Sequence, residues 1–308
     1  MGTFSKIGRL LMDEDYRFCL LANYHFFDKM PDEEYLRRKY KAVMGEELNL
    51  LAPRGFNEKL QWLKLYNRNP EYTVMVDKYK VRDFVAEKIG SEHLIPLLGV
   101  WDDPDEIDFT ALPDQFVLKC NHNSHQGLCV CKDKSSLNIH KAKKELRKAL
   151  AQDFYLTGRE WPYKNVPRKI ICEQYMTDES GEGLTDYKFQ CFDGKVKILG
   201  IFKDRTSKAP MTADYFDRDY VWQDVSWGGI PHARVTPPKP VMFDQMVAIA
   251  ETLSQGIPEV RVDLYLCGKN IYFGELTFFD GSGLDRIEPK AFDEQMGDWL
   301  TLPAPYGA

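Results

Sequence analysis

The sequence predicts an α+β protein, a helical N-terminal part followed by a body in which strands outnumber helices. Three observations predict it. Up to about residue 90, apolar positions recur at helical spacing; after Pro96 short β-prone runs take over; and a late helix, 241 to 255, keeps its apolar residues on one face.

The first helix spans 31 to 44. Pro31 and the acidic Asp32 to Glu34 open it, Leu36, Tyr40, Val43 and Met44 form its apolar stripe, and Gly45 stops it. A second helix follows Asn57 and buries Leu60 and Leu63, and a third covers 72 to 88 before Gly90. Strand-like runs then fall at Phe116 to Lys119 and Leu128 to Cys131, ahead of a charged helix at about 137 to 152. Further runs follow at Lys169 to Glu173, Asp186 to Phe192, Lys195 to Phe202, Glu259 to Leu266 and Ile271 to Thr277. In the late helix, Met242, Met246, Ile249, Ala250 and Leu253 share one face. The stretch 203 to 240, with Pro237, Pro238 and Pro240, reads as a long surface excursion.

The composition excludes several classes. A net charge of −6, without long single-sign blocks, argues against a general nucleic-acid binder. No apolar run is long enough to span a membrane, the N-terminus lacks a signal-peptide pattern, and the seven cysteines contain no CxxC pair. The expectation is a cytoplasmic protein with reduced thiols.

The most informative segment is Val260 to Gly283, where two β-prone runs flank Cys267-Gly268-Lys269-Asn270 and predict a hairpin. With a turn centred near Lys269, Asp263 lies opposite Glu275, with Cβ atoms about 5 Å apart. Facing carboxylates repel unless a hard cation takes oxygens from both, and magnesium suits that role. Period-two alternation adds Thr277 and Arg261 to the same face; the alternative is the solvated face of an edge hairpin.

In Phe116 to Lys134, Lys119 ends an apolar strand ahead of a polar loop, a placement that suits phosphate. Cys120, His122, His125, Cys129 and Cys131 crowd the same stretch, but Cys-x-Cys on a strand matches zinc spacing poorly. His122 reads as a loop hydrogen-bonder or as a phosphate or substrate contact, and it is carried forward with Lys119 and Arg261 as a catalytic candidate. Ile170 to Met176 is an apolar strand running into Glu173-Gln174-Tyr175, a pattern equally suited to an ordinary strand end. Asp186 and Lys188 share a strand face and their charges can simply pair.

Taken in order, Asp77-Lys78, VLK with Lys119, CEQY with Glu173, RVD with Asp263 and GELT with Glu275 resemble the ATP-grasp superfamily. The longer stretches NEKLQWLKLYNRNP, VDKY, FVLKCNH, GREWPYKN, DYKFQCF, VRVDLY and GELTFF are similar to the TupA-like ATP-grasp family of bacterial surface-polysaccharide clusters, over roughly residues 55 to 302. The resemblance implies an ATP-grasp fold with the nucleotide between two α+β lobes. It implies Lys78 and Lys119 on the phosphates, Glu173, Gln174 and Tyr175 against adenine, Asp186 near the ribose, and Lys188 as a further nucleotide contact. It also implies Mg2+ on Asp263, Glu275 and Thr277, with Arg261 facing the developing charge.

Two departures stand out: many relatives have Asn where Thr277 stands, and Ser124-His125-Gln126-Gly127 is poorer in glycine than their phosphate loops. The implied units are a helical extension at 1–55, a helical part at 56–115, a small lobe at 116–168 and a large lobe at 169–308 with a substrate loop at 203–240. The implied activity is a teichuronopeptide-type amide ligase, an ATP-dependent enzyme coupling an amino acid or amine to a carboxylated sugar (uronic acid). Arg159, Trp161, Lys164, Lys203, Arg205, Ser282 and Gly283 are the substrate-contact candidates. A sugar kinase, an inactive glycan-binding protein and a glycosyltransferase are the alternatives. No nucleic acid and no membrane insertion are expected, and peripheral association with polysaccharide machinery is compatible with the sequence.

Overall fold

The structure, a computed structural model, describes residues 12–124, 126–179, 183–203 and 210–306. In chain order it runs α1 (Glu14–Asn23), α2 (Asp32–Met44), α3 (Phe56–Tyr66), α4 (Glu71–Val76), α5 (Val81–Ile89), β1 (Leu97–Trp101), β2 (Phe116–Cys120) and β3 (Cys129–Cys131). Then come α6 (Ile139–Leu150), the single turn α7 (Tyr155–Gly158), β4 (Ile170–Gln174), β5 (Asp186–Phe192), β6 (Lys195–Lys203), β7 (Thr212–Asp217), β8 (Trp222–Gln223) and β9 (Ser226–Trp227). The chain continues through α8 (Phe243–Leu253), β10 (Glu259–Cys267), β11 (Asn270–Thr277), β12 (Ile287–Glu288) and α9 (Lys290–Trp299).

Two antiparallel sheets organise the body. The smaller has the order β1-β4-β2-β3 and the larger β11-β10-β5-β6-β7-β8, with β12-β9 as a separate pair. The larger sheet is covered by α8, whose Met246, Val247, Ala250 and Leu253 are fully buried one helical face at a time. The smaller sheet packs Leu118 and Cys172 against Leu146 of α6. A third cluster, Phe18, Tyr35, Leu36, Tyr40, Leu48 and Leu50, gives the N-terminal helices a core of their own.

Three sequence expectations need correction. The helix expected over 72 to 88 is broken: Asp77 is extended (φ −72°, ψ 106°) between α4 and α5. Its buried carboxylate accepts from the Tyr79 and Lys80 amides (2.9 and 3.2 Å) and from Asn121 Nδ2 (2.8 Å), a local alternative to helical hydrogen bonding. Asn57 is not the cap of α3 but lies inside it, donating to the Asp285 carbonyl (2.9 Å) and Asp293 Oδ1 (3.1 Å); Glu58 receives the amides of Arg54 and Gly55 in its place. The excursion at 203 to 240 contains β7, which pairs with β6 from Ile198↔Asp217 to Lys203↔Thr212 and is largely buried. Strand β1 and helix α9 were also not expected. Gly99 and the mixed burial of β1 hide its period, and α9 follows a proline on a tail of mixed polarity.

Candidate functional site

The β10–β11 hairpin builds the centre of the site. Cys267 pairs with Asn270 across the turn Gly268-Lys269, and that register alone would set Asp263 opposite Gly274. A bulge between the Asp263 and Leu264 pairs inserts one residue into β11, and Asp263 pairs with Glu275 instead. Gly274 suits the bulge: a Cβ there would lie 3.0 Å from the Tyr265 ring and 3.1 Å from the Asp263 carbonyl oxygen. The facing carboxylates are thus present, reached through a bulge and not through the turn position the spacing suggested.

Arg261 ties this face together. Its Nε and Nη2 donate to the two Asp263 oxygens (2.6 and 2.7 Å), Nη2 also approaches Glu275 Oε1 (3.4 Å), and Nη1 donates to Asp280. Lys78 Nζ stands 3.3 Å from Glu275 Oε2 and donates to the Asn123 carbonyl (2.9 Å). The helix break at Asp77 makes this reach available, because the Lys78 amide bonds the Asn121 carbonyl (3.1 Å) at the end of β2. On the smaller sheet, Lys119 Nζ pairs with Glu173 Oε2 (2.6 Å), and Arg82 Nη1 lies 3.5 Å from Oε1 of the same carboxylate. Burial tends to raise the Glu275 pKa, yet Lys78, Arg261, Lys188 and Lys119 together hold it well below the usual carboxylate range.

A cavity of about 270 Å³ opens between the two sheets. It brings together Lys78, Lys119, Glu173, Gln174, Tyr175, Asp186 and Glu275 among the sequence candidates. Leu128, Val130, Met176 and Leu184 add apolar walls that the sequence reading did not select. Of these four, only Leu128 and Val130 carried a local signal, their alternation along a strand-like run. Tyr265 and Arg82 were missed as well, Tyr265 although it continues the Arg261-Asp263 strand face.

A second cavity, of about 500 Å³, adjoins the first, and Glu275 and Ser124 line both. Arg261, Lys188, Thr277, Asp280 and Ser282 face it. Lys188 therefore stands here and not in the first cavity, 3.8 Å from Asp263 Oδ2 and 4.4 Å above the Phe202 ring. In GREWPYKN the residues that line the cavity are Glu160 and Tyr163, not those chosen from sequence. Arg159 is 2% exposed, donates to the Phe27 and Asp28 carbonyls (2.7 and 3.3 Å) and stacks 4.4 Å from the Tyr35 ring. Trp161 is in the core, and Lys164 is exposed over Tyr155 (4.9 Å). Gly283 is packed against Leu60 and Gln61 of α3, Lys203 lines neither cavity, and Arg205 lies outside the described residues.

Of the readings offered for His122, its contacts match the loop hydrogen-bonder and not a cavity contact. It is 1% exposed, Nε2 donates to the Gln152 carbonyl (3.2 Å), it lines neither cavity, and burial lowers its pKa, leaving a neutral ring just past β2. Burial pushes the Cys120 thiol up to about 11 and Cys172 to about 12, which keeps both protonated near neutrality.

The donor chemistry fits a hard dication with nucleotide oxygens. Asp263 and Glu275 face each other, Thr277 adds a hydroxyl, and the cationic Arg261 fork already sits between the two carboxylates. Among the described residues no group of three or more His, Cys, Asp or Glu is gathered for a metal, so such an ion would need oxygens from the nucleotide or water.

Among solved structures, the chain is similar to D-alanine–D-alanine ligase from Bacillus anthracis complexed with ATP (15% identity, 67% of this chain and 55% of that one, TM-score 0.38). It thus spans little more than half the length of that ligase. It is also similar to D-alanine–D-alanine ligase from Helicobacter pylori (14%, covering 82% and 70%, TM-score 0.42) and to the D-cycloserine synthetase DcsG (16%, covering 75% and 72%, TM-score 0.42). No curated protein matches the sequence. The profile of the TupA-like ATPgrasp family matches residues 58–301, a span that contains both sheets, the hairpin and the first cavity. The chain belongs to the TupA-like ATPgrasp family.

Proposed function

We propose that the protein is an ATP-dependent carboxylate–amine ligase that couples an amino acid or amine to a carboxylated sugar, a uronic acid, during surface-polysaccharide synthesis. One observation carries the ligase reading: two cavities of different character meet at Glu275, one lined by Lys78 and Lys119 with apolar walls, the other by Arg261 and Lys188 with aromatic walls. The first suits ATP and the second a polar acceptor. The sugar itself follows from family resemblance.

In this reading a substrate carboxylate oxygen attacks the γ-phosphorus and ADP leaves, giving an acyl phosphate. The amine then attacks the acyl carbon, phosphate departs with the former carboxylate oxygen, and the amine loses a proton. Asp263, Glu275 and Thr277 would hold Mg2+, which would neutralise charge at the phosphates when bound. Lys78 and Lys119 hold the phosphates as point charges, and the buried Arg261 guanidinium faces the oxyanion of the second step. No nucleophile of the enzyme is needed. Among the described residues no helix is long and apolar enough to cross a membrane.

The test is calorimetric binding of a non-hydrolysable ATP analogue with magnesium to the wild type and to Glu275→Gln, followed by ADP release with paired uronic acids and amines. The expected result is magnesium-dependent binding weakened at least about tenfold in the variant, and ADP release that requires both substrates. Phosphorylated sugar formed without amine would make the protein a kinase, and no nucleotide binding would sink both.

A further inference from the structure

The family profile begins at residue 58, yet the second cavity does not. Asn23, the last residue of α1, and Lys39, in the middle of α2, stand on its wall together with Thr157 and Leu284. This is not a loose cap. Arg159 holds the Phe27 and Asp28 carbonyls, Tyr35 Oη donates to the Thr157 carbonyl (3.3 Å), Tyr155 Oη bonds Asp32, and Arg68 pairs with Asp32 (2.9 Å). On the other edge Arg286 donates to the Met44 carbonyl (3.1 Å) and Leu284 packs into the core of the extension. The segments so anchored carry Glu160, Ser282 and Asp285 of the same cavity.

Lys39 differs from the other cations of α2. Arg37 pairs with Glu33, Lys41 with Glu47, and Arg38 stacks on the Phe18 ring 4.6 Å away. Lys39 is half-buried and has no ion-pair partner among the described residues. Glu160, Glu275, Asp280 and Asp285 also line this cavity, but none of them pairs with Lys39, whose ammonium offers three donors and whose flexible stem adapts to the carboxylate or phosphate of a ligand.

We infer that α1 and α2 form the outer wall of the acceptor site and that Lys39 is a specificity-determining residue, selecting acceptors with an anionic group, carboxylate or phosphate. The inference rests on reading the second cavity as the acceptor site. Glucose, glucuronic acid and glucose 1-phosphate are titrated calorimetrically into the full chain, as wild type, Lys39→Met and Lys39→Arg. Met keeps the stem and the helix propensity, so the fold is retained. The expected result is a preference of roughly tenfold or more for an anionic probe over glucose in the wild type. It is lost in Lys39→Met and kept in Lys39→Arg, and the preferred probe distinguishes carboxylate from phosphate. A wild type that binds glucose as well as both anions, or binds none of the three, overturns the inference, as does Lys39→Met with the preference intact. Should the Lys39-dependent preference stand while no amine elicits ADP release, the ligase reading fails and this one does not. Should ADP release occur with an acceptor KM unmoved in Lys39→Met, the reverse holds.

Discussion

Lys64 is the least expected charge in the molecule. It is fully buried in α3, and Nζ donates to the Ser282 carbonyl (2.7 Å), Ser282 Oγ (2.9 Å) and the Gly158 carbonyl (2.8 Å). It fixes from behind the turn on which Ser282 faces the second cavity. Burial lowers its pKa to about 8. The unfolded chain holds that proton to about pH 10.4, so between the two values the unfolded state binds more protons and stability rises with pH, by at most about 1.4 kcal/mol per unit. Below pH 8 both states are protonated and this contribution is flat. Urea denaturation from about pH 7 to 10 is therefore expected to show the stability of wild type over Lys64→Met growing with pH. A difference independent of pH would rule this out. Glu275 behaves oppositely: its lowered pKa keeps it ionised throughout the neutral range, ready for a cation.

At the scale of elements, single backbone irregularities place the functional groups. The bulge at Gly274 decides which residue faces Asp263, and the Asp77 break aims Lys78 at Glu275. Both were read from sequence as regular structure, because bulges and Asx turns depend on partners far along the chain, here β10 and Asn121. The glycine-poor loop after β2 is a similar case. Gly127 adopts φ 70°, and a Cβ on it would lie 2.5 Å from Ala149 Cβ of α6, so this glycine serves packing of the loop on the helix. Gly127→Ala is expected to destabilise the chain by about 2 kcal/mol, from left-handed strain plus overpacking. Equilibrium denaturation checks this, and a loss below about 0.5 kcal/mol would show that the loop relaxes freely.

At the scale of the whole molecule, Arg159 couples the N-terminal helices to the body. Removing the guanidinium in Arg159→Met leaves the Phe27 and Asp28 carbonyls without their donor and Asp32 with Arg68 as its remaining cation. The expected loss is about 2 to 4 kcal/mol, concentrated in the extension. Hydrogen exchange is the measurement: amides of α1 and α2 are expected to lose protection while those of β5 and β10 keep it. Uniform loss would show that the extension and the body unfold as one unit, and no loss that Arg159 is not the anchor.

How far the sequence reached depends on how local the cause is. By itself it determined the α+β class, the extent of β5 and β6 and the two-stranded hairpin. Period-two alternation, helical stripes and turn residues encode these within short windows. The tertiary structure alone decided that β7 lies inside the sheet, since its partner β6 supplies the pairing that its own composition does not advertise. It alone decided that Arg159, a substrate-contact candidate in the sequence, is an anchor and that Lys39 is a cavity residue. Burial is set by what packs on a side chain from elsewhere in the chain, and no local spacing records it.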